Sequence, residues 1–301
     1  MKVSLIVLGV AVLAAVFAFA LSASRTIALD PIDARASERA LVRSLWHHPR
    51  FRRFLRERFD RKSAAGFLLT IGFVLAFAVS FVLGTLLDMI DNNAGLARLD
   101  KSVAAWGSHH TSSNAVDMLR WITHLGSTPV VVAALVVVFV YDFARHRNWE
   151  VALFLIAVAG GELLLNNSLK ALVSRERPAV LHLVAASGSS FPSGHSAAAA
   201  AGAAAVALIV SRDRHRGTRA LCAAAAVLVA VAVATSRALL GVHWLTDVIA
   251  GLAVGWGWFL LVAMLFGGRL QVLGDPVVRA GAAAPPDVAE INPPTIHEVS
   301  R

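Results

Sequence analysis

The chain has 301 residues, of which 57% are hydrophobic, and a mean hydropathy of +0.67. A soluble domain is roughly 45–50% apolar, so an ordinary soluble protein is excluded and an integral membrane protein is expected. The net charge of +9 sits in blocks beside apolar runs, a membrane-orientation pattern and not a nucleic-acid surface, and the lone Cys222 excludes an intrachain disulfide or a Cys-rich metal site.

In chain order, apolar runs long enough for spans, or nearly so, are expected over 3–23, 66–90, 128–143, 150–169, 196–211, 219–235 and 246–267. The first of these, with Lys2 before it and small residues near Ser22–Ser24, resembles a signal peptide. Cleavage would leave an Arg-rich segment outside against its charge, so residues 1–23 are read as an uncleaved N-terminal span or signal anchor. Residues 24–65 hold Arg25, Arg35, Arg39, Arg43, Arg50 and further basic residues up to Lys62, and form a basic cytoplasmic linker. They fit a segment lying on a lipid surface and a solvated linker equally well.

Taking 24–65 as cytoplasmic, alternation returns the basic loops around Arg145–Arg147 and Arg212–Arg219 to the same side. It puts 91–127, 170–195 and 236–245 on the extracytoplasmic side. Within 91–127, Leu96, Leu99, Val103 and Trp106 recur at helical spacing. They suit an interfacial helix or a cover over the core. The Ala- and Gly-rich spans 196–211 and 219–235 allow close helix approach and are expected inside the bundle. Residues 268–301, rich in Pro and Ala, read as a disordered tail.

Three polar clusters fall at span ends on the extracytoplasmic side. Lys170 and Arg177, seven residues apart and followed by Pro178, share a face if the helix continues that far, and two cations on one face suit a phosphate. Snorkelling to head groups explains them as well. Phe191-Pro192-Ser193-Gly194-His195-Ser196 leads into an Ala-rich span. A turn followed by a helix start offers free N–H groups to an anion, with the Ser193 hydroxyl, close approach at Gly194 and a proton carrier in His195; a capped helix with an incidental histidine is the alternative. Ser236, Arg237, His243 and Asp247 form the third cluster. A carboxylate four residues from an imidazole can fix its tautomer and stabilise its cation, or simply support packing. Together the clusters supply three cations, an anion-binding helix start, two histidines and a carboxylate. No carboxylate cluster for Mg²⁺ and no P-loop accompanies them, so the cations would do a metal's electrostatic work.

K-x6-RP (Lys170, Arg177, Pro178), PSGH (Pro192 to His195) and SR-x5-H-x3-D (Ser236, Arg237, His243, Asp247) resemble, in order and spacing, the three signature motifs of the type 2 phosphatidic acid phosphatase superfamily. The stretch 99–127 also resembles that family, and the resemblance covers about 66–267. It implies an all-α polytopic membrane bundle: a six-helix phosphatase core over 66–267, with one extra N-terminal span here. It implies a metal-independent, cofactor-free site in which His243 attacks phosphorus and forms a phosphohistidine, Asp247 orients it, and His195 protonates the leaving oxygen. Lys170, Arg177, Ser193, Gly194 and Arg237 would hold the phosphate oxygens. The partner is then a lipid phosphate in the membrane: phosphatidic acid, phosphatidylglycerophosphate, or a polyprenyl phosphate or diphosphate. Two rivals remain: a vanadium-haloperoxidase-like enzyme, which the resemblance also implies because such enzymes belong to the same family, and a non-enzymatic transporter or lipid-binding protein using the His–Asp pair as a proton relay.

Overall fold

The computed structural model describes residues 64–212 and 214–267, together with Val12. The expectations for 1–23, 24–63 and 268–301 lie outside the described residues, Val12 aside. The described chain forms α1 (Ala64–Asp91), α2 (Ala97–His110), α3 (Ser113–His124), α4 (Thr128–His146), α5 (Glu150–Val173), α6 (Gly194–Val210), α7 (Arg216–Leu239) and α8 (Leu245–Gly267). Within these, 71–91, α4, α5, α7 and 245–266 are long and apolar enough to cross a membrane, and α6 is a shorter apolar helix. The protein is therefore an all-α, multi-pass membrane bundle.

The small side chains of α6 put it at the centre, packed against α4, α5, α7 and α8. On α8, Gly251 and Gly255 lie against α6: a Cβ on Gly251 would meet the Ser193 carbonyl oxygen at 2.5 Å, and one on Gly255 would collide with the Ala197 carbonyl. Only glycine allows the two backbones this close. The main core joins Leu135 and Val138 of α4, Phe154 and Val158 of α5, Ala201 and Ala205 of α6, and Phe259 and Val262 of α8. The outer faces stay apolar and exposed, as with Phe73, Phe77 and Phe81 on α1 and Ile156, Leu164 and Leu172 on α5. In a bilayer such faces meet lipid and carry no hydration penalty.

The basic loop 147–149 and the loop residues 211–212 and 214–215 share one end of the bundle. Arg212 lies 3.6 Å from the buried Asp142 of α4, which His146 also meets at 3.0 Å. The opposite end carries α2, α3, the connection 174–193 and the turn 240–244. Leu96 and Leu99 are exposed, while Val103 and Trp106 pack onto core clusters, so the apolar positions of this stretch divide between surface and core.

One local expectation is corrected. The helix carrying Lys170 stops at Val173, where Ser174 turns left-handed at φ 48°, so Arg177 shares no helix face with Lys170. His243 and Asp247 lie on different elements. The chain turns at Gly241, with φ +72°, and α8 begins only at Leu245. Spans 128–143 and 219–235 extend to Thr128–His146 and Arg216–Leu239 because flanking polar residues continue the backbone hydrogen-bond ladder.

Candidate active site

Six pieces of chain meet at the end away from the basic loops. Lys170 sits on the last turn of α5. Arg177 comes from the connection after it, and Ser193, Gly194 and His195 open α6. Arg237 lies on the last turn of α7, His243 in the turn beyond, and Asp247 in the first turn of α8.

The start of α6 is held from below. The Ser193 N–H donates to the Asp247 carbonyl at 3.0 Å, and the Ser196 hydroxyl donates to Ser193 Oγ at 2.9 Å. The N-cap Ser193 makes no side-chain cap bond, so the first-turn N–H groups remain for an acceptor. A Cβ on Gly194 would lie 3.3 Å from Asn166 Oδ1 and 3.8 Å from Lys170 Nζ, which brings the lysine ammonium to the helix start. Arg237, buried, donates from Nη1 to Thr123 Oγ1 at 3.3 Å. Among the described residues, its Nε and the Asn166 Nδ2 are buried donors without a hydrogen-bond partner. Such donors are costly unless something accepts from them.

His243 is 2% exposed. Its Nδ1 lies 2.8 Å from the Ser190 carbonyl and 3.5 Å from Asp247 Oδ2. Only an Nδ1–H can satisfy a carbonyl, which leaves the Nε2 lone pair toward the site, where Arg177 Nη1 stands 3.4 Å away. The spacing of four thus brings the carboxylate behind the imidazole, with a backbone carbonyl as its nearer acceptor. Burial, with added repulsion from Arg237 and Arg177, pushes His243 down to about 4 against the pull of Asp247. His195 lies within electrostatic reach of Arg237, His243 and Lys170.

Arg177 also pins the connection. It donates from Nε to Gly188 O (3.0 Å), from Nη2 to Ser187 O (2.7 Å) and from Nη1 to Val242 O (2.7 Å). Burial lowers its pKa below the ordinary arginine value, and Asp247 opposes this. Most of its donors already hold loop carbonyls, so its Nη1 edge is the part that faces the imidazole.

Several polar residues went unread in the sequence. Arg175 joins Asp247, Thr246 and Asp100, and Glu162 and Asn166 are buried on α5 below Lys170. An acid within an apolar run is itself a signal, so Glu162 was detectable. The partners of Arg175 are 71 to 75 residues away, and no spacing rule reveals them.

The family model of the PAP2 superfamily matches residues 149–270. Phosphatidylglycerophosphatase B of Bacillus subtilis (strain 168) is 34% identical over 148 residues, covering 48% of this chain and 72% of that protein. The crystal structure of a transmembrane PAP2-type phosphatidylglycerolphosphate phosphatase from Bacillus subtilis matches with a TM-score of 0.56 and 28% identity, over 64% of this chain and 97% of that one. The chain belongs to the PAP2 superfamily, in its membrane lipid phosphatase branch. Its class of activity is that of a lipid phosphate phosphatase.

Proposed function

We propose that the protein hydrolyses a lipid phosphomonoester or polyprenyl (di)phosphate without a metal, through a phosphohistidine on His243. The carrying observation is the buried imidazole whose Nδ1 is engaged by Ser190 O and Asp247, leaving Nε2 toward the cations. In the first step Nε2 bonds to the terminal phosphorus as its bond to the leaving oxygen breaks, the lipid oxygen of a monoester or the bridging oxygen of a diphosphate. That oxygen takes a proton from His195. In the second, water attacks the phosphohistidine and gives its proton back to His195, and orthophosphate leaves with His243 restored. Lys170, Arg177, Arg237, Ser193 and the Gly194 backbone stabilise the charge on the phosphoryl oxygens. Metal independence is supported by the absence, among the described residues, of any group of His, Cys, Asp and Glu side chains able to hold an ion. The similarity to a phosphatidylglycerophosphatase favours phosphatidylglycerophosphate among the candidate substrates.

In this reading six apolar helices over 66–267 form the phosphatase core, 1–23 adds a span, 24–65 is a cytoplasmic linker and 268–301 a tail. The site faces the extracytoplasmic side, since the basic loops lie at the other end. The test is phosphate release from a panel of lipid phosphates, with and without EDTA. Activity lost in EDTA and restored by Mg²⁺ would overturn metal independence. Release from no lipid phosphate by folded protein would overturn the function. For orientation, cysteines replacing the exposed Ser187 or Arg214 in a Cys222→Ala background are labelled on intact cells. An impermeant reagent should reach 187 and miss 214, and the reverse result would put the site in the cytoplasm.

A further inference from the structure

The polar network at this end continues past the residues used above. The Arg175 guanidinium reaches Asp247 Oδ1 from Nη1 at 2.5 Å, Thr246 Oγ1 from Nη1 at 2.8 Å and Asp100 Oδ2 from Nη2 at 2.8 Å. Asp100, from α2, also accepts the Thr246 N–H at 3.0 Å and the Thr246 hydroxyl at 2.7 Å. Asp247 Oδ2 accepts the Trp244 N–H at 3.0 Å, and Arg175 stacks 5.3 Å from the Trp244 ring. The backbone takes part as well. The Arg175 carbonyl accepts the Ser190 N–H at 2.8 Å, and the Ser190 carbonyl is the nearest acceptor of His243 Nδ1. Both groups behind the imidazole are therefore attached to one residue, Asp247 through the Arg175 side chain and Ser190 through its main chain.

We infer that Arg175 is a positioning residue for phosphoryl transfer, holding Asp247 and the Ser190 carbonyl so that His243 presents Nε2 to phosphorus in a single orientation. This rests on the phosphatase reading above. Arg175 does not reach the His243 ring and acts through its two acceptors. Asp247 is fully buried, and a carboxylate there needs a cation or a donor set to remain charged. Arg175 supplies both, and Asp100 balances the second arm of its fork, so the pair of carboxylates shares one guanidinium. Asp100 makes α2 part of the support for the nucleophile.

The inference predicts a particular pattern in Arg175→Gln. kcat should fall about 10²-fold, the loss expected when a reacting group is misplaced by about 1 Å, while KM stays within about threefold. The acid limb of the pH profile should also move toward neutrality. Without the nearby cation, the His243 imidazole binds its proton more tightly. The other charges facing His243 are Arg177 of the connection, His195 of α6 and Arg237 of α7, with Lys170 of α5 and His124 of α3 acting on His195. All are unchanged in the variant. Arg175→Lys keeps the charge and loses the fork, and should recover part of kcat and most of the pH profile.

A readout independent of turnover is ¹⁵N-histidine NMR of the full chain in detergent micelles, with the His243 signal identified by its loss in His243→Gln. In Arg175→Gln that signal should titrate at higher pH and show a mixture of tautomers. Wild-type kcat in Arg175→Gln would overturn the inference. So would lost activity with an unchanged His243 titration and tautomer, which is the result for a residue that only staples the loop. If Arg175→Gln does not fold, Arg175→Lys decides by the same readouts. A wild-type protein inert toward lipid phosphates would defeat the phosphatase reading, while the NMR still judges whether Arg175 orients the ring.

Discussion

Gly251→Ala changes no polar atom and lies one turn beyond Asp247 on α8, yet it should damage catalysis. An alanine Cβ there would stand 2.5 Å from the Ser193 carbonyl oxygen and 2.9 Å from Ser196 Cβ. A carbon–oxygen contact settles at roughly 3.3–3.6 Å, so the start of α6 must retreat by about 1 Å. It carries Ser193, Gly194 and His195, and neither neighbour is the free end of a flexible side chain. A shift of that size at a reacting group costs about 10²-fold in rate, whereas overpacking a bundle costs roughly 1–3 kcal/mol. kcat on a lipid phosphate should thus fall about a hundredfold in protein that remains folded in detergent, as read by thermal unfolding of the same sample. Gly84→Ala on α1, where a Cβ meets nothing within 4 Å, is the control and should leave kcat unchanged. Wild-type turnover in Gly251→Ala would refute the reasoning. So would a loss of activity matched by an equal loss of folded protein, because the effect would then be stability and not placement.

Arg237→Ala should lower kcat by about 10²–10³, the cost of removing one preorganised donor to a developing oxyanion, and unchanged turnover would make this arginine a structural residue only. His195→Ala should retain far more activity on p-nitrophenyl phosphate, whose leaving group needs no proton, than on a lipid phosphate, while His243→Ala loses both. Aryl rescue in His243→Ala instead would reverse the two roles. His243 is held at about 4 against an ordinary 6.5, so between those values the folded protein binds fewer protons than the unfolded chain and stability falls as pH falls. Fully developed below pH 4, the loss amounts to about 3 kcal/mol. Thermal unfolding of His243→Gln should therefore decline less between pH 7 and pH 4 than that of the wild type, and equal slopes would show that the imidazole is not buried in its neutral form.

Among the described residues the spans were legible because a bilayer enforces length and apolarity, and the convergence of the candidate-site residues because their types and spacings form ordered motifs. What stayed hidden depends on where the chain turns. A period of seven between Lys170 and Arg177 reads as one helix face, but Ser174 adopts a left-handed conformation and sends Arg177 into the connection. The separation of four between His243 and Asp247 points to a carboxylate partner for the imidazole, but Gly241 places the histidine in a turn, where Ser190 is its nearer acceptor. The ties from Arg175 to Asp100 and Asp247 join distant segments, so they arise only from the packing of α2 against α8.

The buried donors around Arg237, Lys170 and the start of α6 have a kinetic consequence of their own. They would grip phosphoryl oxygens and make little use of whatever the phosphate is attached to, so liberated orthophosphate would satisfy them nearly as well as the bound ester. An enzyme built this way slows itself as its inorganic product accumulates. Its pace in a cell would then follow how quickly that product is carried away as much as how much lipid is supplied.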